Sequence, residues 1–179
     1  MKRTLLPLLA ALSLVAPQPA VAQSSGAKAP DCGPLMETWS GTAYAIDGDT
    51  LAGVGLKPHI RIWGIQAPEL RDAAKDETVP GMRARAALMD KLHGADYRAT
   101  CRPTKFDRYC RLVAHCTTTT NSGTIDLGDA MLNDGMAYGF YLEDVIPGRE
   151  QLGESYARSE WSARNKRVGL WPVWLGERR

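Results

Sequence analysis

A small α+β domain is the fold class this sequence predicts. Three observations carry it: short strand-like runs crowd the first half, helical patterning dominates the end, and one helix is inserted between two groups of strands. The first runs are Thr42–Ile46, Thr50–Val54 and His59–Ile65, parted by turn material at Asp47-Gly48 and from Gly55 to Pro58. Pro68 to Pro80 is polar and reads as a loop. Gly81 to His93 is helical by pattern, with Met82, Ala86, Met89 and His93 at three- and four-residue steps and Gly94 as a stop. Two further strands, Tyr97–Cys101 and Tyr109–Cys116, flank a basic loop. A second helix covers Asp126 to Asp134 and ends at Gly135; a third runs from about Arg149 to Arg167 and ends at Gly169. No internal repeat is present.

The start of the chain reads as an export signal. Lys2 and Arg3 precede an apolar run from Leu5 to Val15, and Ala20-Val21-Ala22 offers the small residues a signal peptidase accepts. We expect residues 1–22 to be removed before Gln23, a flexible segment over 23–39, and a folded domain over 40–175 in a periplasmic or secreted protein. No other stretch approaches the roughly 18 uncharged apolar residues of a membrane helix, so no membrane partner is expected. The leader holds two of the 22 basic residues and no acid, which leaves 20 basic against 20 acidic. Net charge therefore lends no support to nucleic-acid binding, and any attraction must come from local clusters.

The four cysteines, Cys32, Cys101, Cys110 and Cys116, all follow the leader. In an oxidising compartment an even count favours two disulfides, with three connectivities open. One of them ties neighbouring strands through Cys101–Cys116 and leaves Cys32 for Cys110. A zinc site is the rival, against which stand the lack of a Cys-x-x-Cys pair and the scatter of His59, His93 and His115.

Four segments bear on chemistry. In Ile46-Asp47-Gly48-Asp49-Thr50, Asp-Gly is first a hairpin-turn signal, but it also sets two carboxylates at a strand end, where oxygen ligands suit calcium. In Ile60-Arg61-Ile62-Trp63-Gly64-Ile65-Gln66-Ala67-Pro68-Glu69, alternation turns Arg61 away from Ile60 and Ile62. Pro68 stops the strand and puts Glu69 just beyond its end, within reach of a water. In Asp107-Arg108-Tyr109-Cys110-Arg111-Leu112-Val113, Arg111 shares a face with Tyr109 and Val113. Tyr156, Glu160, Ala163-Arg164 and Gly169-Leu170-Trp171 read as fold support, with Glu160 and Arg164 spaced as an exposed pair. Each segment alone has an ordinary structural reading. Together they supply what phosphodiester hydrolysis needs: two guanidiniums for equatorial oxygens, a carboxylate-held cation, and a carboxylate for water.

The motifs Ile-Asp-Gly-Asp-Thr, Arg-x-x-Gly-Ile-x-Ala-Pro-Glu, Asp-Arg-Tyr-x-Arg and Tyr-x3-Glu-x2-Ala-Arg-x4-Gly-Leu-Trp, in this order, resemble the staphylococcal nuclease-like (thermonuclease) family from about Ser40 to Trp171. The resemblance implies a five-stranded OB-type barrel carrying three helices. It implies Glu69 as general base, Arg61 and Arg111 as phosphate clamps, and Asp49, Gln66 and the Ala67 carbonyl as calcium ligands. Tyr109 and Tyr141 fall where such proteins contact a phosphate or nucleotide ring. The implied protein is a monomeric, calcium-assisted endonuclease on DNA or RNA that leaves 3′-phosphate ends.

Two positions depart from the family pattern. Gln66 replaces an aspartate and removes a formal charge, which weakens calcium binding. Cys110 replaces a glycine just before Arg111. Gln66 favours a rival reading, a barrel that binds nucleic acid or protein without turnover. A phosphodiesterase acting on another anionic polymer is the third. The basic residues from Arg102 to Arg111 can guide a phosphate backbone, whereas Arg164 to Arg167 suit a solvated helix end. Trp161, Trp171 and Trp174 read as core or helix-docking residues.

Overall fold

The computed structural model describes residues 31–176; the expected leader and the bond before Gln23 lie outside them. The elements are β1 (Trp39–Ala45), β2 (Thr50–Gly53), β3 (Ile60–Ile62), β4 (Ile65–Gln66), α1 (Val79–His93), β5 (Arg98–Phe106), β6 (Leu112–Thr120), β7 (Gly123–Asp126), α2 (Leu127–Asn133), β8 (Tyr138–Gly139), α3 (Leu152–Asn165) and α4 (Trp171–Trp174). The sheet runs β3-β2-β1-β5-β6-β7, and a parallel pairing of β3 with β6 joins its two sides. That pairing closes β1, β2, β3, β5 and β6 into a barrel, the OB-type α+β architecture expected, with β7 as an extension of β6. No helix among the described residues is long and apolar enough to cross a membrane.

Local sequence accounts for most elements. Ala43, Leu51, Ile60, Ile62, Leu112 and Ala114 point inward and are buried, as period-two alternation requires. Helix α1 starts two residues earlier than its periodicity suggests, because Thr78 caps it by accepting a hydrogen bond from Gly81 N at 3.0 Å. The stripe it buries also differs from the one expected. Gly81, Ala84, Leu88 and Leu92 face the barrel, while Met82 and Ala86 are exposed. Both stripes have helical spacing, and only packing selects between them.

Several strand limits move for identifiable reasons. The expected strand His59–Ile65 breaks at Trp63-Gly64: Gly64 has φ +75°, and a Cβ there would meet the Tyr156 ring at 3.0 Å. The basic loop after Cys101 is mostly strand, with β5 continuing to Phe106. Tyr109 to Arg111, expected as strand, form a turn with Cys110 at φ +57°. Strand β6 extends instead through a threonine run to Thr120. Threonine is β-branched but polar, so an apolar pattern overlooks it. Strands β4, β7 and β8 and helix α4 are too short to leave a periodic signal.

The disulfides are Cys32–Cys110 and Cys101–Cys116, so no thiolate remains for zinc. Cys101 and Cys116 stand opposite each other in the β5–β6 ladder. Inside, Tyr156 is fully buried on α3 and donates to Asp126 Oδ1 at 2.6 Å, while His115 Nε2 lies 2.7 Å from Asp126 Oδ2. One carboxylate thus joins β6, the start of α2 and α3. Gly128 lets the phenol approach, since a Cβ there would overlap the Tyr156 hydroxyl. Glu160 does not pair with Arg164 as expected: it accepts from Gly139 N at 3.0 Å, and Arg164 lies over the Trp171 ring at 5.6 Å. Trp171 is buried, but Trp161 is 69% exposed and lies outside the core.

Candidate active site

Parallel pairing of β3 with β6 sets Arg61 beside Val113, and Arg111 lies two residues before Val113. Both arginines open into one cavity of about 730 Å³, which Gln66, Glu69, Tyr109 and Tyr141 also line. Six of the eight expected site residues therefore meet in one place. The other two, Asp49 and Ala67, are buried behind Arg61 and Gln66.

Arg61 is only 8% exposed. Its guanidinium forms an ion pair with Asp49 Oδ1 and donates through Nη2 to Ile65 O at 3.0 Å and Gln66 Oε1 at 2.7 Å. Burial, and next the nearby charge of Arg111, lower its pKa to about 10, so it remains protonated at neutral pH. Asp49 also accepts from Ala67 N at 2.6 Å, which locks the turn between β1 and β2 to the end of β4. Gly48 permits this fit, because a Cβ there would sit 2.5 Å from that of Ala67.

Arg111 is held differently. Asp107 accepts from Arg111 N at 2.9 Å and from its Nε at 2.7 Å, and also from Tyr109 N at 2.9 Å. Burial raises the Asp107 pKa, but these bonds outweigh it and bring the carboxyl below its ordinary value. The Cys32–Cys110 disulfide anchors the turn between Tyr109 and Arg111 to the chain ahead of β1. Tyr109 is 64% exposed, with the Arg108 and Arg111 guanidinium carbons 4.7 Å and 5.5 Å from its ring centroid. Across the opening, Tyr141 is 61% exposed and stands edge-on to Phe140.

Glu69 is exposed at the cavity mouth, with Gln66 Nε2 at 3.5 Å from Oε1. Its backbone is fixed: Thr78 Oγ1 donates to Glu69 O at 2.6 Å, and Gly81 leaves room for that carbonyl against the first turn of α1. The result is an exposed carboxylate on an anchored backbone.

Among the described residues, no group of three or more His, Cys, Asp or Glu side chains is placed to hold a metal ion. The oxygens gathered near Arg61 are those of Asp49, the Gln66 amide and the Ala67 carbonyl, to which Gln66 Nε2 donates at 3.1 Å. All are hard donors, which suits calcium in kind, but Asp49 brings the only formal negative charge of this set. Asp47, the other carboxylate of the turn singled out in the sequence, is a neighbour of this set and accepts from Asp49 N at 3.0 Å. Burial raises its pKa, while a bond from Thr50 and the charges of Arg61 and Arg111 oppose the rise. Lys105 and Arg108, from the basic stretch noted in the sequence, also line the cavity, as does Phe140, which no motif marks.

Residues 59–173, well over half the chain, match the family model described as staphylococcal nuclease homologue. The chain belongs to that family. The match includes Arg61, Glu69 and Arg111 and begins after Asp49. Within the staphylococcal nuclease homologues, it is 31% identical over 114 residues to a probable endonuclease LCL3 of Nakaseomyces delphensis, covering 63% of this chain and 42% of that protein. It is 28% identical over 146 residues to a probable endonuclease lcl3 of Pyrenophora tritici-repentis, covering 72% and 52%. The chain thus spans about half the length of these relatives.

Proposed function

We propose that this protein is an exported nuclease that hydrolyses phosphodiester bonds of DNA or RNA with the aid of calcium. The supporting observation is that Arg61, Glu69 and Arg111 open into one cavity. Two relatives whose names read probable endonuclease point the same way.

In this mechanism Arg61 and Arg111 bind the scissile phosphate from two sides and remain charged throughout. Negative charge builds on the equatorial oxygens as the bond order to phosphorus changes, and the two guanidiniums meet it without reorganising. Arg61 is preset by Asp49, Gln66 and the Ile65 carbonyl, Arg111 by Asp107. Glu69 takes a proton from water as its oxygen attacks phosphorus; the P–O5′ bond breaks, and the departing O5′ takes up a proton from solvent, to leave a 3′-phosphate and a 5′-hydroxyl. Calcium, when bound by Asp49, Gln66 and the Ala67 carbonyl, supplies neutralisation of phosphate charge. Tyr109 and Tyr141 offer exposed rings to nucleotides beside the reacting bond.

Digestion of single-stranded DNA, double-stranded DNA and RNA, each with calcium and with chelator, tests the proposal. Calcium-dependent cutting that Glu69→Ala and Arg111→Ala abolish is the expected result, with end-labelling to identify the 3′-phosphate. A second reading rests on Arg61, whose bonds to Asp49 and Gln66 are internal. If those bonds persist with substrate present, the barrel binds nucleic acid without cutting it. Retained binding with no cleavage under any condition would favour that reading and sink the first.

A further inference from the structure

Strand β5 contains a bulge with a consequence for charge. Arg102 pairs with His115 and Pro103 with Ala114, but Lys105 then pairs with Val113, so Thr104 is the extra residue. Thr104 Oγ1 donates to Val113 O at 3.1 Å, filling the gap in the ladder. Without the bulge, residues three apart on a strand face opposite ways; with it, Arg102 and Lys105 share one face. Val113, the partner of Lys105, is also the partner of Arg61. Cationic side chains of β3 and β5, Arg61, Lys105 and Arg102, therefore share one face on either side of β6, running from the catalytic cavity outward.

That line ends in a second cavity of about 720 Å³, walled by Arg102 and Lys105 on one side and by the loop carrying Asp144 and Arg149 on the other. Lys105 and Asp144 line both cavities and form an ion pair at their junction. The two side chains are 53% and 40% exposed, so a phosphate arriving at Lys105 can replace Asp144 at small cost. The Arg102 and Arg149 side chains are exposed and have no hydrogen-bond or ion-pair partner among the described residues. His115 is committed to Asp126, and Glu37 is the other acid in the wall.

We propose that this second cavity is a subsite for the phosphate backbone of a single strand running on from the catalytic cavity, with Arg102 and Arg149 as its ligands. The inference rests on the nuclease reading above. The Arg102–His115 pair lies two residues along β6 from the Val113 register, roughly 7 Å at about 3.3 Å per residue. A strand stacked at about 3.4 Å per nucleotide covers that distance in about two steps. A single strand fits better than a duplex, because Tyr109, Phe140 and Tyr141 present ring faces and edges that only unpaired bases can stack on.

The test compares wild type with the double variant R102E/R149E, in which both exposed side chains change without touching the core. Affinity for ten-nucleotide single-stranded DNA and RNA is read by fluorescence anisotropy in chelator, across a salt series. Cleavage of a dinucleotide and of the ten-mers is read with calcium. We expect ten-mer affinity to fall tenfold or more, and the log–log salt slope to shrink by about 1.4, at about 0.7 per lost phosphate contact. Dinucleotide cleavage should stay within twofold. Whichever polymer shows the loss is the one the groove takes. Unchanged ten-mer affinity, or an equal loss on dinucleotide and ten-mer, would overturn the subsite. If wild type cuts neither substrate, the nuclease reading fails, while anisotropy still decides whether the groove binds phosphate.

Discussion

Gln66→Glu probes the charge missing from the proposed calcium site with the least change in shape. The amide oxygen accepts from Arg61 Nη2 at 2.7 Å, and the amide nitrogen donates to Ala67 O at 3.1 Å and reaches Glu69 at 3.5 Å. Glutamate has the same reach, so the bond to Arg61 survives. The contact with Ala67 O becomes oxygen against oxygen, which a cation between the two would relieve. One unit charge about 4 Å from another contributes about 4 kcal/mol at an effective dielectric of 20. Gln66 borders an open cavity and the new carboxylate is shared with Arg61, so we discount this to about 1.5–3 kcal/mol. Calcium should therefore bind about 10- to 100-fold more tightly. The assay is activity against calcium concentration, paired with calorimetry of calcium binding without substrate. An unchanged midpoint in both would remove Gln66 from the ligand set and refute the argument from charge. Gln66→Asp, one methylene shorter, should move in the same direction.

Four further outcomes are expected. Glu69→Gln should lower kcat by about 10²–10⁴ while melting temperature and substrate affinity hold, as the proposed role of this exposed carboxylate requires. Asp107→Asn removes the charge-assisted bond to Arg111 Nε, and kcat/KM should fall about 10- to 100-fold, a loss of about 1.5–3 kcal/mol; a change under twofold would mean Arg111 needs no clamp. Asp126 has a pKa below its ordinary 3.8, because bonds from His115 and Tyr156 outweigh the burial that raises it, so it stabilises the fold above that value and loses the contribution as pH falls through the folded pKa. The stability gap between wild type and Asp126→Asn, from denaturant midpoints, should accordingly be full at pH 7 and shrink below about pH 4. Replacing Cys32 and Cys110 with serine opens a closure of 78 residues and should cost about 2–5 kcal/mol in denaturant unfolding, with Arg111-dependent activity lost earlier than the fold.

How far the sequence reaches differs between fold and site. Alternation placed Ile60 and Ile62 in the core and turned Arg61 the other way, and both hold. It failed at Tyr109–Arg111, where Asp107 draws three donors to itself and curls the chain into a turn. It also chose the wrong stripe of α1, since Met82 and Leu88 both recur at helical spacing and only contact with the barrel separates them. The burial of Arg61 was not legible in its own segment, because what surrounds it comes from a distant turn, at Asp49, and from a strand end, at Gln66.

The residue types, their order and their local geometry were determined by sequence alone: Asp-Gly makes a turn, Pro68 ends a strand, and charged groups stand where those breaks leave them. Tertiary structure decided which of these groups meet. Arg61 and Arg111 are fifty positions apart and become neighbours only because β3 pairs with β6 in parallel, in one register. The same holds for Arg102 and Lys105, whose common face depends on a bulge that exists only against β6. Local propensity acts over a few residues, whereas register is set by closing the barrel around its core, and no short stretch of chain contains that information.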